Sequence, residues 1–118
     1  MIARVWSAQA TPARAPAYVD HLRDEVLPKL RSLDGYAGAW LFERPLASDV
    51  EIVVTTFWRS IDAIRAFAGD DLDRAVVAPE AAALLTQFDR HVRHYEVAVT
   101  DDTGVHAKSW RYDKRSRR

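Results

Sequence analysis

Three side chains in this sequence carry charge or proton-transfer chemistry into apolar surroundings: His94, Arg4 and His21. His94 falls in the segment from Arg90 to Thr100, rich in residues that favour extended backbone. Alternate residues of a strand share a face, so Val92, His94, Glu96 and Ala98 look one way and Arg93, Tyr95 and Val97 the other. An imidazole titrates near neutrality and can act as a general base. The competing reading is a strand-edge or interface histidine bonded to a backbone carbonyl. Glu96 carries the same two readings, with a surface charge or interface ion pair as the ordinary one. Arg4 stands between Ile2 and Trp6 on one face of an N-terminal strand, where a charge must be paired or must meet an anion. Glu51 or Glu96 on a neighbouring strand would be its ordinary partner. His21 lies beside the inward stripe Tyr18, Leu22 and Val26 of a helix, which suits a pocket rim or a solvated boundary.

Other chemistries lack their residues. The chain has no cysteine, which removes disulfides, thiolate catalysis and cysteine-ligated metal. Asp70, Asp71 and Asp73 cluster after Gly69 without the spacing or the final glutamate of a calcium loop. They suit the first turn of a following helix instead. The histidines show no paired spacing for zinc, so no metal is called for. Ser7, Ser32, Ser48 and Ser60 have no nucleophile-elbow context. With only 4 glycines, the chain holds no phosphate loop or dinucleotide fingerprint. Its 17 basic and 17 acidic residues balance to a net charge of zero, so no global field draws the body to nucleic acid or an anionic membrane. No apolar run approaches the roughly 18 residues of a membrane span, and Met1 to Trp6 opens no signal peptide. A cytoplasmic protein is expected.

The elements that must hold these side chains follow from periodicity. Ile2 to Ala8 reads as a first strand, with Ile2, Arg4 and Trp6 on one face. Thr11-Pro12 and Pro16 turn the chain into a helix over Ala17 to Ser32, whose apolar residues recur at helical spacing. Pro28 inside it predicts that the helix kinks or tightens near Asp24 and Glu25, and Asp34-Gly35 ends it. Tyr36 to Arg44 is a second strand, with a bulge or close contact at Gly38. Val50 to Trp58 is the strongest strand. Ser60 caps a helix from Ile61, with Asp62 favourably placed in its first turn and a buried face of Ile61, Ile64, Phe67 and Ala68. Asp70 to Ala78 reads as a short helix broken by Pro79, Glu80 to Phe88 as resumed helix, and Arg90 to Thr100 as the final strand. After Asp101-Asp102 the apolar pattern stops.

The resulting order, β-α-β-β-α-(α)-β, predicts an α+β, ferredoxin-like split βαβ fold: a four-stranded antiparallel sheet with helices on one face. The uncovered face carries apolar residues and must meet water or another sheet. Two copies pressed face to face would make a homodimer, a dimeric α+β barrel. The expected division is one domain over residues 1-100 and a basic tail over 101-118. The tail's Lys108, Arg111, Lys114, Arg115, Arg117 and Arg118 read as a solvated, mobile end rather than a nucleic-acid or lipid contact.

MIARVW at the start, FWRSIDAIRAFAGDDLDRAVVAPEA in the middle and HVRHYEV at the end together resemble the antibiotic biosynthesis monooxygenase superfamily, over about residues 1 to 99. The resemblance implies one of two schemes. Heme-degrading members hold heme between helix and sheet with a helical histidine on iron, a nearby tryptophan and an N-terminal asparagine. Here the tryptophan position falls on Phe67 and the histidine position on Val77, and the first strand has no asparagine. Valine cannot ligate iron, and His91 or His94 would approach from a different element, so no cofactor is expected. The other scheme is cofactor-independent oxygenation of an aromatic or polyketide-like molecule, in which the bound substrate anion itself reacts with O₂. It needs apolar walls, a proton acceptor and donors for the anion. Trp6, His21, Tyr36, Trp40, Trp58 and Phe67 are the expected substrate contacts and His94 and Arg4 the expected catalytic groups. Core or interface packing is the alternative for each aromatic. The competing functions are a non-catalytic module binding a small hydrophobic or aromatic ligand, and isomerase-like proton transfer on the same fold.

Overall fold

Val50–Trp58 is β-branched almost throughout, and it becomes the inner strand β3 of an antiparallel sheet. The structure is a computed structural model that describes residues 1–101; the basic tail lies outside the described residues. β1 (Ile2–Ala10) and β2 (Tyr36–Pro45) flank β3. Two short strands, β4 (Gln87–Phe88) and β5 (Arg93–Glu96), share the outer edge of β1. The expected fourth strand is therefore one lane interrupted in the middle, giving five strands in the lane order β2-β3-β1-β4/β5. This is the lane order of the ferredoxin-like fold.

Register fixes which side chains face the helices. Ile2, Arg4, Trp6 and Ala8 pair across β1 and β3 with Trp58, Thr56, Val54 and Ile52. The β3 members of these pairs are all buried, while the alternate residues Val53, Thr55 and Phe57 are half-buried. His94 and Glu96 pair with Arg4 and Ile2 and share the helix-side face.

The first helical arm comprises α1 (Ala15–His21), a π-helical turn (Leu22–Val26) and α2 (Leu27–Arg31). Pro28 has no N–H to give the carbonyl four residues earlier, and one wider turn absorbs the mismatch. The kink expected at Asp24 and Glu25 takes this form. Gly35 follows with φ +90°, and a Cβ there would stand 2.5 Å from the Ala63 Cβ, so both conformation and space require glycine. The expected bulge appears as a register shift between Tyr36 and Gly38.

The Ser60 Oγ accepts the Ala63 N–H at 3.2 Å and starts α3 (Ile61–Ala68). Ile64 is fully buried there, in a cluster with Leu30 and Trp58. Ile61, expected on the buried face, is 38% exposed.

Two helical expectations are overturned. Residues 70–78 form no helix, because their backbone groups go to distant partners. The Ala75 N–H donates to Arg90 O at 2.8 Å, the Asp73 O accepts from the Val92 N–H at 2.7 Å, and Arg4 takes two more carbonyls. In the segment read as Glu80 to Phe88, the helix α4 spans only Pro79–Ala82. The Thr86 N–H then donates to Gln9 O at 2.8 Å and the chain joins the edge of β1. Helix propensity loses in both places to tertiary pairing.

Because Ile64 sits wholly inside this core, Ile64→Ala is expected to cost about 2–5 kcal/mol in urea unfolding, with Ile61→Ala costing well under half as much. Equal costs would contradict the assigned face of α3.

Candidate functional site

Between the helical arm and the sheet lies a cavity of about 440 Å³, within the usual range for small-molecule sites. Its floor is two cross-strand pairs, Arg4 with Thr56 and Trp6 with Val54. One wall comes from the arm: Tyr18, His21, Leu22, Val26, Lys29 and Leu30. The other comes from Phe67 of α3 and the extended segment Ala75 to Ala78. Aliphatic and aromatic side chains dominate the lining.

Arg4 is 5% exposed and is the main charged group of the floor. Nη1 donates to the Leu72 carbonyl at 2.6 Å and lies 2.9 Å from His94 Nε2, and Nη2 donates to the Arg74 carbonyl at 2.8 Å. The guanidinium also sits 5.7 Å from the Phe67 ring centroid. Neither Glu51 nor Glu96 is its partner, since Glu51 pairs with Arg44 and the other contacts are carbonyls and an imidazole. Burial lowers its pKa, with nearby Asp73 partly offsetting this; guanidinium remains charged all the same.

Arginine can only donate, so His94 Nε2 must be the accepting nitrogen and the ring proton resides on Nδ1. Nδ1 lies 3.3 Å from Asp73 Oδ1 and donates toward it. Desolvation and then the Arg4 charge push the His94 pKa below its ordinary value, against the opposing pull of Asp73. The chain Asp73–His94–Arg4 thus holds the guanidinium in place. His94 does not line the cavity; it reaches it through Arg4.

The remaining sequence-derived residues divide. Trp6, His21 and Phe67 line the cavity with Arg4. Trp58 is fully buried beside it, stacked on Phe67 at 5.6 Å with Tyr36 edge-on at 5.4 Å, so both serve the core under the cavity wall. Trp40 is on the opposite sheet face, 41% exposed and stacked with Phe42 at 6.4 Å. The Gly38 bulge precedes it and sets its side.

Tyr18 was legible as part of the inward stripe but not as a site residue. Its hydroxyl makes no hydrogen bond among the described residues, and no buried side-chain oxygen or nitrogen there is left sealed without a partner. The hydroxyl is therefore not sealed off, and Tyr18 lines the cavity. Burial raises its pKa, which keeps it a donor. A buried tyrosine needs a partner for its hydroxyl, and that was the available signal. Tyr18 lies between Trp6 (6.0 Å between centroids) and His21 (6.2 Å). Thr56 was also missed; its Oγ1 accepts from Trp58 Nε1 at 2.9 Å.

No family model matches the sequence, and no curated protein matches it significantly. Solved structures do match the fold. A provisionally named antibiotic biosynthesis monooxygenase from Bacillus cereus superposes with TM-score 0.62 at 15% identity, over 86% of this chain and 94% of that one. The heme-degrader MhuD from Mycobacterium tuberculosis, with two hemes in its active site, gives 0.54 at 20% identity over 86% and 99%. The monooxygenase ActVA-Orf6 of Streptomyces coelicolor, in complex with nanaomycin D, gives 0.50 at 17% over 85% and 91%. These likenesses show the fold: a ferredoxin-like α+β arrangement, shared with solved structures at 15–20% identity.

The residues present do not fit heme in the manner expected for heme-degrading members. Position 77 contributes a valine to the cavity, and His94 spends both ring nitrogens on Arg4 and Asp73. Among the described residues no cluster of three or more histidine or carboxylate side chains is arranged for a metal. No helix there is long and apolar enough to cross a membrane.

The depressed His94 pKa fixes a pH dependence. Its stabilising contribution is whole above the unfolded value near 6.5. It shrinks as pH falls below that value, because the unfolded chain takes up the proton first, and levels off once folded His94 protonates. Urea unfolding across this range should show stability falling with acidity in the parent. His94→Gln keeps an acceptor for Arg4 and a donor for Asp73, and should flatten the slope; identical slopes would disprove the lowered His94 pKa.

Proposed function

We propose that this protein is a cofactor-independent monooxygenase of a small aromatic or polyketide-like molecule. The observation that carries the reading is the presence of Arg4, Tyr18 and His21 together in the lining of one apolar cavity. His94, expected as a catalytic group, becomes a positioning residue for Arg4.

In this reading a planar substrate with an acidic CH₂ or OH lies between Phe67 and Trp6. His21 takes the proton, and Arg4 with Tyr18 holds the resulting enolate or phenolate. The electron-rich anion then reduces O₂ directly. For a CH₂ group the balance is R₂CH₂ + O₂ → R₂C=O + H₂O, with all four electrons drawn from the substrate. The chain's own task is to make the anion in a water-poor site and to orient it. The fold shared with ActVA-Orf6 supports this choice.

Oxygen uptake with a panel of anthrones and hydroquinones is the test. Turnover should be seen with at least one, and His21→Gln should lower kcat about 10²–10⁴-fold, the range for losing a general base. Tyr18→Phe should cost about 10²–10³-fold, the range for losing one anion donor. No oxygen uptake with any panel member would sink the reading. His21 facing the cavity also favours isomerase-like proton transfer, which would appear as solvent deuterium exchange into the substrate without oxygen uptake.

The assembly that goes with this function is a homodimer through the open sheet face, where Trp40, Phe42 and Tyr95 are 41%, 51% and 52% exposed. Val53 and Phe57 continue the apolar surface between them. Such an area is costly to leave wet, and an identical face is a self-complementary cover. Sedimentation at micromolar concentration should report a dimer that Phe42→Arg converts to monomer. A monomeric parent would refute this assembly.

A further inference from the structure

The cavity has a sign as well as a shape. Among the described residues its charged lining is Arg4 and Lys29, with neither aspartate nor glutamate. A buried guanidinium normally faces a carboxylate, yet the groups touching Arg4 are two carbonyls and a neutral imidazole. Asp73 pairs with His94 and exerts only a longer-range pull on Arg4.

A guanidinium has five N–H donors, and three are engaged by Leu72, His94 and Arg74. Nε and one Nη2 hydrogen have no partner among the described residues. No buried side-chain nitrogen there is sealed without a partner, so Nε keeps some accessible surface, and Arg4 lines the cavity. Nε and Nη2 lie on one edge of the guanidinium, the edge that grips a carboxylate through two parallel bonds. Tyr18 adds an unengaged hydroxyl that burial keeps protonated. Lys29, exposed on α2, contributes a second positive charge toward the mouth.

From this arrangement we propose that the natural ligand is an apolar acid: a largely aromatic molecule with one carboxylate that binds the free edge of Arg4, its ring system lying against Phe67, Trp6 and the aliphatic wall. Neutral analogues of the same shape bind more weakly because Arg4 then loses water without gaining a counter-charge. This inference rests on the cavity being the ligand site, as in the proposed function, and fixes the chemical class that site selects.

The probes are anthracene-2-carboxylate and anthracene-2-carboxamide, titrated calorimetrically into the full chain near neutral pH. The acid should bind about ten- to a hundredfold more tightly, the scale of a charge-assisted bond. Lys29→Gln, on an exposed helix position, should weaken the acid severalfold and leave the amide unchanged. Arg4→Gln should abolish the preference; because Arg4 also pins residues 72 and 74, near-UV circular dichroism must first show a folded protein, and if it does not, the Lys29 variant decides. Equal affinity of acid and amide in the parent, or a preference untouched in the folded variants, would overturn the proposal. Oxygen uptake is not part of this measurement. A chain that prefers the acid but oxidises nothing refutes the monooxygenase reading alone, and one that oxidises a neutral anthrone without preferring the acid refutes this inference alone.

Discussion

A single buried cation ties the two halves of this structure together. Arg4 leaves β1 on the helix-side face and reaches the carbonyls of Leu72 and Arg74, which belong to a segment with no regular structure of its own. Without those bonds the long-range backbone links of residues 70–78 would be those to Arg90 and Val92. Because Ala75 to Ala78 form one wall of the cavity, the guanidinium that colours the cavity's floor also holds up its side. Shape and charge of the site therefore depend on the same side chain. His94, opposite Arg4 on β5, and Asp73 behind it keep that side chain from rotating away.

The helical arm supplies the facing wall through a different constraint. A proline in its middle removes one backbone donor, and the chain widens by a turn instead of ending. That widening lets Tyr18 and His21 of α1 and Lys29 and Leu30 of α2 line the same cavity although the helix between them is not continuous α. Tyr18 is buried against Trp6 while its hydroxyl stays open. One wall is thus set by a missing hydrogen bond and the other by two additional ones, from Arg4 to the Leu72 and Arg74 carbonyls.

The fold was largely legible because it rests on local periodicity. Val50–Trp58 is β-branched almost throughout, Ser60 caps, Gly38 bulges, and Pro28 disturbs the helix where its missing N–H requires. What failed was decided by distant partners. Asp70 to Ala78 looked helical, and no local signal announces that an arginine nearly seventy residues earlier will claim its carbonyls. The break between β4 and β5 has the same origin, since the Asp89 carbonyl is taken by Trp6 Nε1 at 2.8 Å. In the site, strand parity put Arg4 and Trp6 on one face of the first strand and His94 with Glu96 on one face of the last; only the register joins the two faces on the helix side. Parity does not say whether a side chain reaches a cavity or stops behind a neighbour, which is why His94 ends as a support. Trp40 shows the other limit: one bulge residue before it sets its side of the sheet.

The neutrality of Arg4's contacts is itself informative. Glu96 shares its sheet face on β5 only two residues from His94, and a carboxylate at position 94 would have given the guanidinium a direct counter-charge in the usual way. An imidazole there, with its proton drawn toward Asp73, supplies an acceptor without a charge. It orients the cation and leaves most of its field unspent. In a low-dielectric cavity that residual field acts more strongly on a bound group than it would in water. It acts equally on any carboxylate already present and on any oxyanion that forms when a proton leaves, so the feature that selects a ligand is also the one that would lower the barrier to ionising it.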